Sequence, residues 1–175
     1  VDETAQAFIA KARSLLSGEY LPKIEHCLER LGDEEVWWRA GAESNSIGNL
    51  RLHLSGNARQ WIVCGVGGAI DQRERQTEFD ERSRLPGAEL LARLKQTLAE
   101  VDDTLARFET AHILDRRQIQ GCDVNVLEAT FHVVEHFSMH TGQIILLTKM
   151  LKSVDLKFYE FAADGAARLR LEGKS

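Results

Sequence analysis

Four of the six histidines stand where their spacing could do chemistry. His132, His136 and His140 recur every four residues, so on a helix they share one face with Gln143 and with the small residue Ala129. Imidazoles four apart sit one turn above each other, and two of them can reach a single ion. His136 and His140 form such a pair. His132 lies a further turn away, and three stacked imidazoles on a straight helix rarely meet one metal. His53 belongs to a second seam. At 100° per residue, Ser46, Asn49, His53, Asn57, Gln60 and Cys64 fall within about 40° of one line, with Leu50, Leu54 and Trp61 beside it. The polar face of a surface helix is usually charged, whereas this seam carries only amides, a hydroxyl, a thiol and an imidazole. Such uncharged hydrogen-bonding groups suit the lining of a pocket. Two readings stay open on spacing alone: a metal held between the two seams, or histidines satisfied as core residues. Cys64 is three turns from His53 and reads as a small buried hydrophobe. His26 and His112 have no comparable partners and read as structural or surface residues. No role attaches to Cys27 or Cys122.

The elements that would carry these seams are helices. Thr4 to Leu31 has a helical apolar period through Phe8, Leu15, Leu16, Leu28 and Leu31, with Pro22 expected to kink or break it and Gly32-Asp33 to end it. Residues 34–45 read as a loop that packs Trp37 and Trp38. The second helix begins at a cap, Asn45 or Ser46, and runs to about Cys64, where Gly65, Gly67 and Gly68 stop it. The charged stretch 69–86 reads as a solvated connection. A third helix spans about Ala88 to Phe108. Residues 109–123 are irregular or weakly extended, and a fourth helix runs from about Asn125 to Leu151. In the tail, Phe158, Tyr159 and Phe161 are expected to dock on the body, followed by a last helical turn. The result is an all-α chain, one four-helix-bundle domain over residues 1–175 with a long crossover and a short C-terminal tail.

Composition narrows the function. Of 175 residues, 22 are Lys or Arg and 27 Asp or Glu, a formal charge of −5 with no basic stripe. Phosphate backbones and anionic membrane surfaces therefore find little to hold, and no nucleic-acid or membrane partner is expected. Three widely spaced cysteines without a CxxC pair suggest a reducing compartment. No apolar run approaches the ~20 residues that cross a bilayer. The opening Val1-Asp2-Glu3-Thr4-Ala5 lacks the regions of a secretory signal, so the expected location is cytoplasmic.

The segments Asn49-Leu-Arg-Leu-His53-Leu-Ser-Gly-Asn57-Ala-Arg-Gln-Trp61-Ile and His132-Val-Val-Glu-His136-Phe-Ser-Met-His140-Thr-Gly-Gln143-Ile resemble the DinB-like, or YfiT-like, superfamily of metal-dependent enzymes. The loop Asp71-Gln-Arg73-Glu-Arg75-Gln-Thr-Glu78-Phe79 and the stretches Trp37-Trp38 and Ser46-Ile-Gly-Asn49 look like one uncharacterised branch of it. The resemblance runs from about residue 5 to 151. It implies a right-handed four-helix bundle, frequent homodimerisation, and a divalent metal on His53, His136 and His140, with His132 outside the ligand set. Zinc and nickel both suit imidazole. Asn57 and Gln143, one turn beyond the ligands, could hold the ligand rings or waters, or simply be buried amides bonded to backbone. The implied activity is that of a metalloenzyme acting on a small molecule, with a low-molecular-weight thiol as substrate of a transferase and Arg73 or Arg75 on its carboxylate. The alternatives are a metal-dependent hydrolase and a non-catalytic metal-binding stress-response protein. No catalytic base is evident, since Glu135 points about 100° away from its neighbour His136.

Overall fold

A computed structural model describes residues 3–82 and 85–170, and 63% of these are helical. The first apolar period forms a continuous rod: α1 (Glu3–Leu15), a π turn over Leu16–Tyr20, and α2 (Leu21–Leu28). Pro22 does not break it. The wider turn comes first, with the Leu21 N–H bonded to Leu16 O, and Pro22 then sits in the first turn of α2, where a missing N–H costs least.

A single turn, α3 (Asp33–Val36), follows and drops Trp37 into the core. Its indole Nε1–H donates to Leu85 O at 2.9 Å, and Gly48 leaves room for the ring, since a Cβ there would stand 2.9 Å from it. Trp38 remains 37% exposed, so one of the two expected indoles packs and the other does not.

Helix α4 (Ile47–Ala58) starts at Ser46, whose hydroxyl accepts the Asn49 N–H at 3.1 Å. It continues as a π segment over Arg59–Cys64 and ends at the glycines, with Gly65 N–H on Gln60 O and Gly68 at φ +78°. The connection read as solvated instead forms α5 (Arg75–Asp80) and buries Glu78. Helix α6 (Gly87–Arg107) buries Leu90, Leu94, Leu98, Val101 and Leu105, the apolar stripe of its sequence. Helix α7 (Val126–Lys152) is capped by Asn125, with Glu128 returning the bond to the Asn125 N–H.

Two hairpins correct the all-α expectation. Strands β1 (Arg116–Ile119) and β2 (Cys122–Asn125) pair antiparallel around Gln120-Gly121, both at positive φ (53° and 79°). In the tail, β3 (Tyr159–Phe161) pairs with β4 (Ala167–Leu169) where a helical turn was expected. Phe158 packs on the core and the Tyr159 hydroxyl meets Lys23 and Glu19, but Phe161 is 72% exposed and does not dock.

Helix α4 lies against α6 and α7, and the first rod lies against α7 and α6. One core results, with Ile24, Leu54, Ile62, Leu94, Phe137 and Ile144 wholly buried. Each contributes roughly 1.5–3 kcal/mol of apolar burial, which makes the α4–α7 contact a rigid platform for the histidines.

Candidate metal centre

Helices α4 and α7 bring His53, His136 and His140 together, with one ring nitrogen from each within 4.8 Å of the others. His136 Nε2 is 3.0 Å from His53 Nε2 and 3.1 Å from His140 Nε2. Four nitrogen ligands about 2.0–2.1 Å from a tetrahedral zinc would stand about 3.4 Å apart, so the cluster is close to what one ion needs.

The outer nitrogens settle which atoms face inward. His53 Nδ1 lies 2.8 Å from Glu78 Oε2, and His140 Nδ1 lies 2.7 Å from Gln143 Oε1. Both of these partners are acceptors, and the one donor nearby, Arg73 Nη2 at 3.1 Å from His53 Nδ1, is engaged more closely by Glu78 Oε2 at 2.8 Å, so each Nδ1 carries the proton and each Nε2 turns a lone pair toward His136. At most one inward N–H could serve those lone pairs, whereas a cation satisfies all three rings. His136 Nδ1 is buried and has no hydrogen-bond partner.

Electrostatics keep the His136 and His140 rings neutral. Burial, reinforced by the facing His140 and His53 imidazoles, pushes His136 down to about 3. Burial also lowers His140, against the raising effect of Gln143. Neutral imidazole is the form that binds a metal. His53 and His140 are buried and His136 is half-buried, so the open side of the cluster is at His136.

Glu78 was not singled out in the sequence, and it is the carboxylate behind His53. Arg73 grips it through Nε to Oε1 at 2.7 Å and Nη2 to Oε2 at 2.8 Å. Burial alone would raise the Glu78 carboxyl, but the Arg73 and His53 hydrogen bonds outweigh it and hold the group below the usual carboxylate range. Arg73 also donates to Gln60 Oε1 at 2.8 Å, and Gln60 donates to Asp71 Oδ2 at 2.7 Å. Asn49 Nδ2 donates to Glu78 O at 2.8 Å. The uncharged seam of α4 is thus partly covered by residues 71–81: Asn49 and Gln60 hold this strap, and a cleft of about 320 Å³ remains between the strap and the Gln60–Cys64 end of the seam. Gly56 permits the contact, because a Cβ on it would fall 1.9 Å from Glu78 Oε1. The available signal was the conjunction of a chargeless seam, a glycine within it, and a later Arg-rich segment carrying Glu74, Glu78 and Glu81.

The remaining polar residues sort by contact. His132 Nε2 takes a hydrogen bond from Asn57 Nδ2 at 3.1 Å, and its ring stacks on Trp61 at 4.0 Å, so it stands outside the trio. Asn57 therefore holds His132 rather than one of the three converging rings, while Gln143 holds His140. Arg73 is committed to Glu78 and has no free face for a substrate. Arg75 lies over the Phe79 ring at 4.8 Å, and Phe79 packs against His53 at 4.6 Å. Cys64 is half-buried, near Arg59 Nη1 and Ile70 O, not the buried hydrophobe expected. His26 is buried on Leu156 O and His112 is exposed beside Asp115, as read from the sequence. No described helix is long and apolar enough to cross a membrane.

Comparison with known proteins places the fold and the family. No curated protein matches the chain. The crystal structure of a DinB-like protein from Bacillus cereus ATCC 10987 superposes with a TM-score of 0.61 at 14% identity, over 75% of this chain and 85% of that one. The fold is DinB-like. A family described as a protein of unknown function, DUF1572, matches residues 3–164, nearly the whole described chain, and the chain belongs to that family.

Proposed function

We propose that this protein is a metalloenzyme whose single divalent ion, zinc or nickel, is held by His53, His136 and His140 and acts on a small molecule. One observation carries the reading: three Nε2 atoms converge while the rings of His53 and His140 are anchored from behind by Glu78 and Gln143. Three neutral imidazoles leave the ion its full charge and open coordination positions, which suits Lewis-acid chemistry on an anionic substrate group.

A low-molecular-weight thiol is the preferred substrate class. Among the described residues, the only cluster that could hold a metal contains histidines and no carboxylate, and Glu78 is locked to Arg73 and His53. With no free base beside the ion, a substrate that supplies its own ligand, a thiolate, fits better than a water needing deprotonation by a side chain. The reading also includes a four-helix bundle and a cytoplasmic homodimer. An exposed apolar face on α7, with Phe131, Met139, Leu146 and Met150, supports the dimer.

Cobalt substitution tests the function. A small thiol added to the cobalt protein should produce an intense near-ultraviolet sulfur-to-metal band, and the same addition to His140→Ala should not. A cobalt spectrum unchanged by every thiol tested would remove the thiol-transfer reading and leave hydrolysis or simple metal binding.

A further inference from the structure

Helix α7 turns to solvent a face that is apolar along its length and charged at matched places. Phe131, Met139, Leu146 and Met150 are each more than half exposed. At 100° per residue they share an arc about 100° wide with Glu135, Gly142 and Lys149, which are exposed as well. Four large apolar side chains in one stripe are more than a monomer ordinarily leaves to water. Among the described residues, Glu135 and Lys149 make no salt bridge and no side-chain hydrogen bond.

The order of these residues is symmetric about Gly142. Glu135 precedes it by seven residues and Lys149 follows it by seven, about 10.5 Å along the axis in each direction. Met139 stands three before it and Leu146 four after; Phe131 stands eleven before it and Met150 eight after. A two-fold axis at Gly142 that sets a second α7 antiparallel therefore brings each Glu135 to the other copy's Lys149. It also brings each Met139 to Leu146, and each Phe131 to within a turn of Met150. A parallel arrangement would set Glu135 against Glu135 and Lys149 against Lys149, like charge on like charge. Gly142 finds a reason in the antiparallel pair. It lies inside the helix without a positive φ, and a Cβ on it would meet nothing within 4 Å, so its own chain does not require a glycine there. At a crossing point it lets two backbones approach closely.

We propose that two copies of this chain pair through α7, antiparallel and crossing at Gly142, with two Glu135–Lys149 ion pairs flanking the Met139–Leu146 contacts and Phe131 packing near Met150 outside them. The inference rests on the homodimer reading above and assigns its surface and register. The pairing braces the helix that supplies His136 and His140, neither of which lies on this face.

Sedimentation velocity over a concentration series tests it, with and without zinc. The wild-type protein should sediment as a dimer in both conditions. Glu135→Lys and Lys149→Glu should each weaken association about tenfold or more, because each sets like charges opposite one another twice per dimer. The protein carrying both changes should return to within about threefold of wild type, since the pair is then restored with its signs exchanged. Gly142→Gln, whose side chain enters open space in the single chain, should be monomeric with an unchanged circular dichroism spectrum. A wild-type monomer overturns the proposal together with the homodimer reading. A dimer that forms only with zinc overturns it too, because this face carries no candidate ligand. A wild-type dimer that neither charge reversal weakens, or a doubly changed protein as weak as the single variants, overturns this register alone and leaves a dimer through another surface. Should one single variant fail to fold, the other and Gly142→Gln decide the matter.

Discussion

His53 Nδ1 donates to a carboxylate that Arg73 holds by two further bonds, and this chain of contacts aims Nε2. Partners of this kind fix ring orientation and ligand basicity, and their loss typically lowers metal affinity about 10–100-fold. Glu78→Gln should therefore weaken the metal by that factor in a competition titration with a chromophoric chelator, although no ligand has changed. It should also destabilise the fold by about 3–5 kcal/mol, since Arg73 is left buried and unpaired. An affinity equal to wild type would show that Glu78 does not orient the ring. The depressed His136 imidazole has a separate consequence for the metal-free protein. Folded His136 stays neutral to about 3, whereas the unfolded chain takes up a proton near the ordinary value of 6.5. The unfolded state binds more protons between these values, so stability is full above 6.5 and falls as the pH drops toward 3. Melting temperatures of the metal-free protein across this range should decline less steeply in His136→Ala than in wild type.

Among the elements, the strap from residue 71 to 81 and the face of α4 beneath it carry the most specific fit. Alanine for glycine inside a helix normally stabilises by about 1 kcal/mol. At Gly56 the new Cβ would lie 1.9 Å from Glu78 Oε1 and 2.8 Å from Arg73 Nε, so Gly56→Ala should instead destabilise by about 1–3 kcal/mol and loosen the metal. A variant more stable than wild type in chemical denaturation would contradict the strap contact. The same region shows where sequence reading stops. Helices α4 and α7 could be read to within a residue or so at their starts, because Ser46 and Asn125 are capping residues ahead of strong helical periods. The three histidines were legible for the same reason: spacing on a helix converts directly into position on a face. Glu78 was not, because nothing local in residues 69–86 marks them as bound; their partners Asn49, His53 and Gln60 lie 11 to 32 residues away. The hairpins were missed because strands of three or four residues are too short to show a period, and their turns rest on a few positive-φ positions, Gln120 and Gly121 in one and Gly165 in the other.

Across the whole molecule, the candidate ion would join α4 to α7, which are linked by most of the chain between His53 and His136, and would reach the strap through Glu78. Metal that binds only the folded form stabilises it by about 2.7 kcal/mol at one hundred times the dissociation constant. For a chain of this size that is a rise of roughly 5–10 °C in melting temperature, reversed by chelator and absent in His53→Ala. No shift in the wild-type protein with zinc, nickel or cobalt would mean that the converging rings are only a core feature. Metal content tests the centre most directly, measured by elemental analysis on protein purified without nickel resin, saturated with zinc, and dialysed. The account predicts one equivalent of metal in the wild-type protein, essentially none in His53→Ala, His136→Ala or His140→Ala, and one equivalent in His132→Ala, whose ring is held by Asn57 and Trp61 instead. It is contradicted by a wild-type protein that retains no metal, or by a His132→Ala protein that loses it while His53→Ala keeps it.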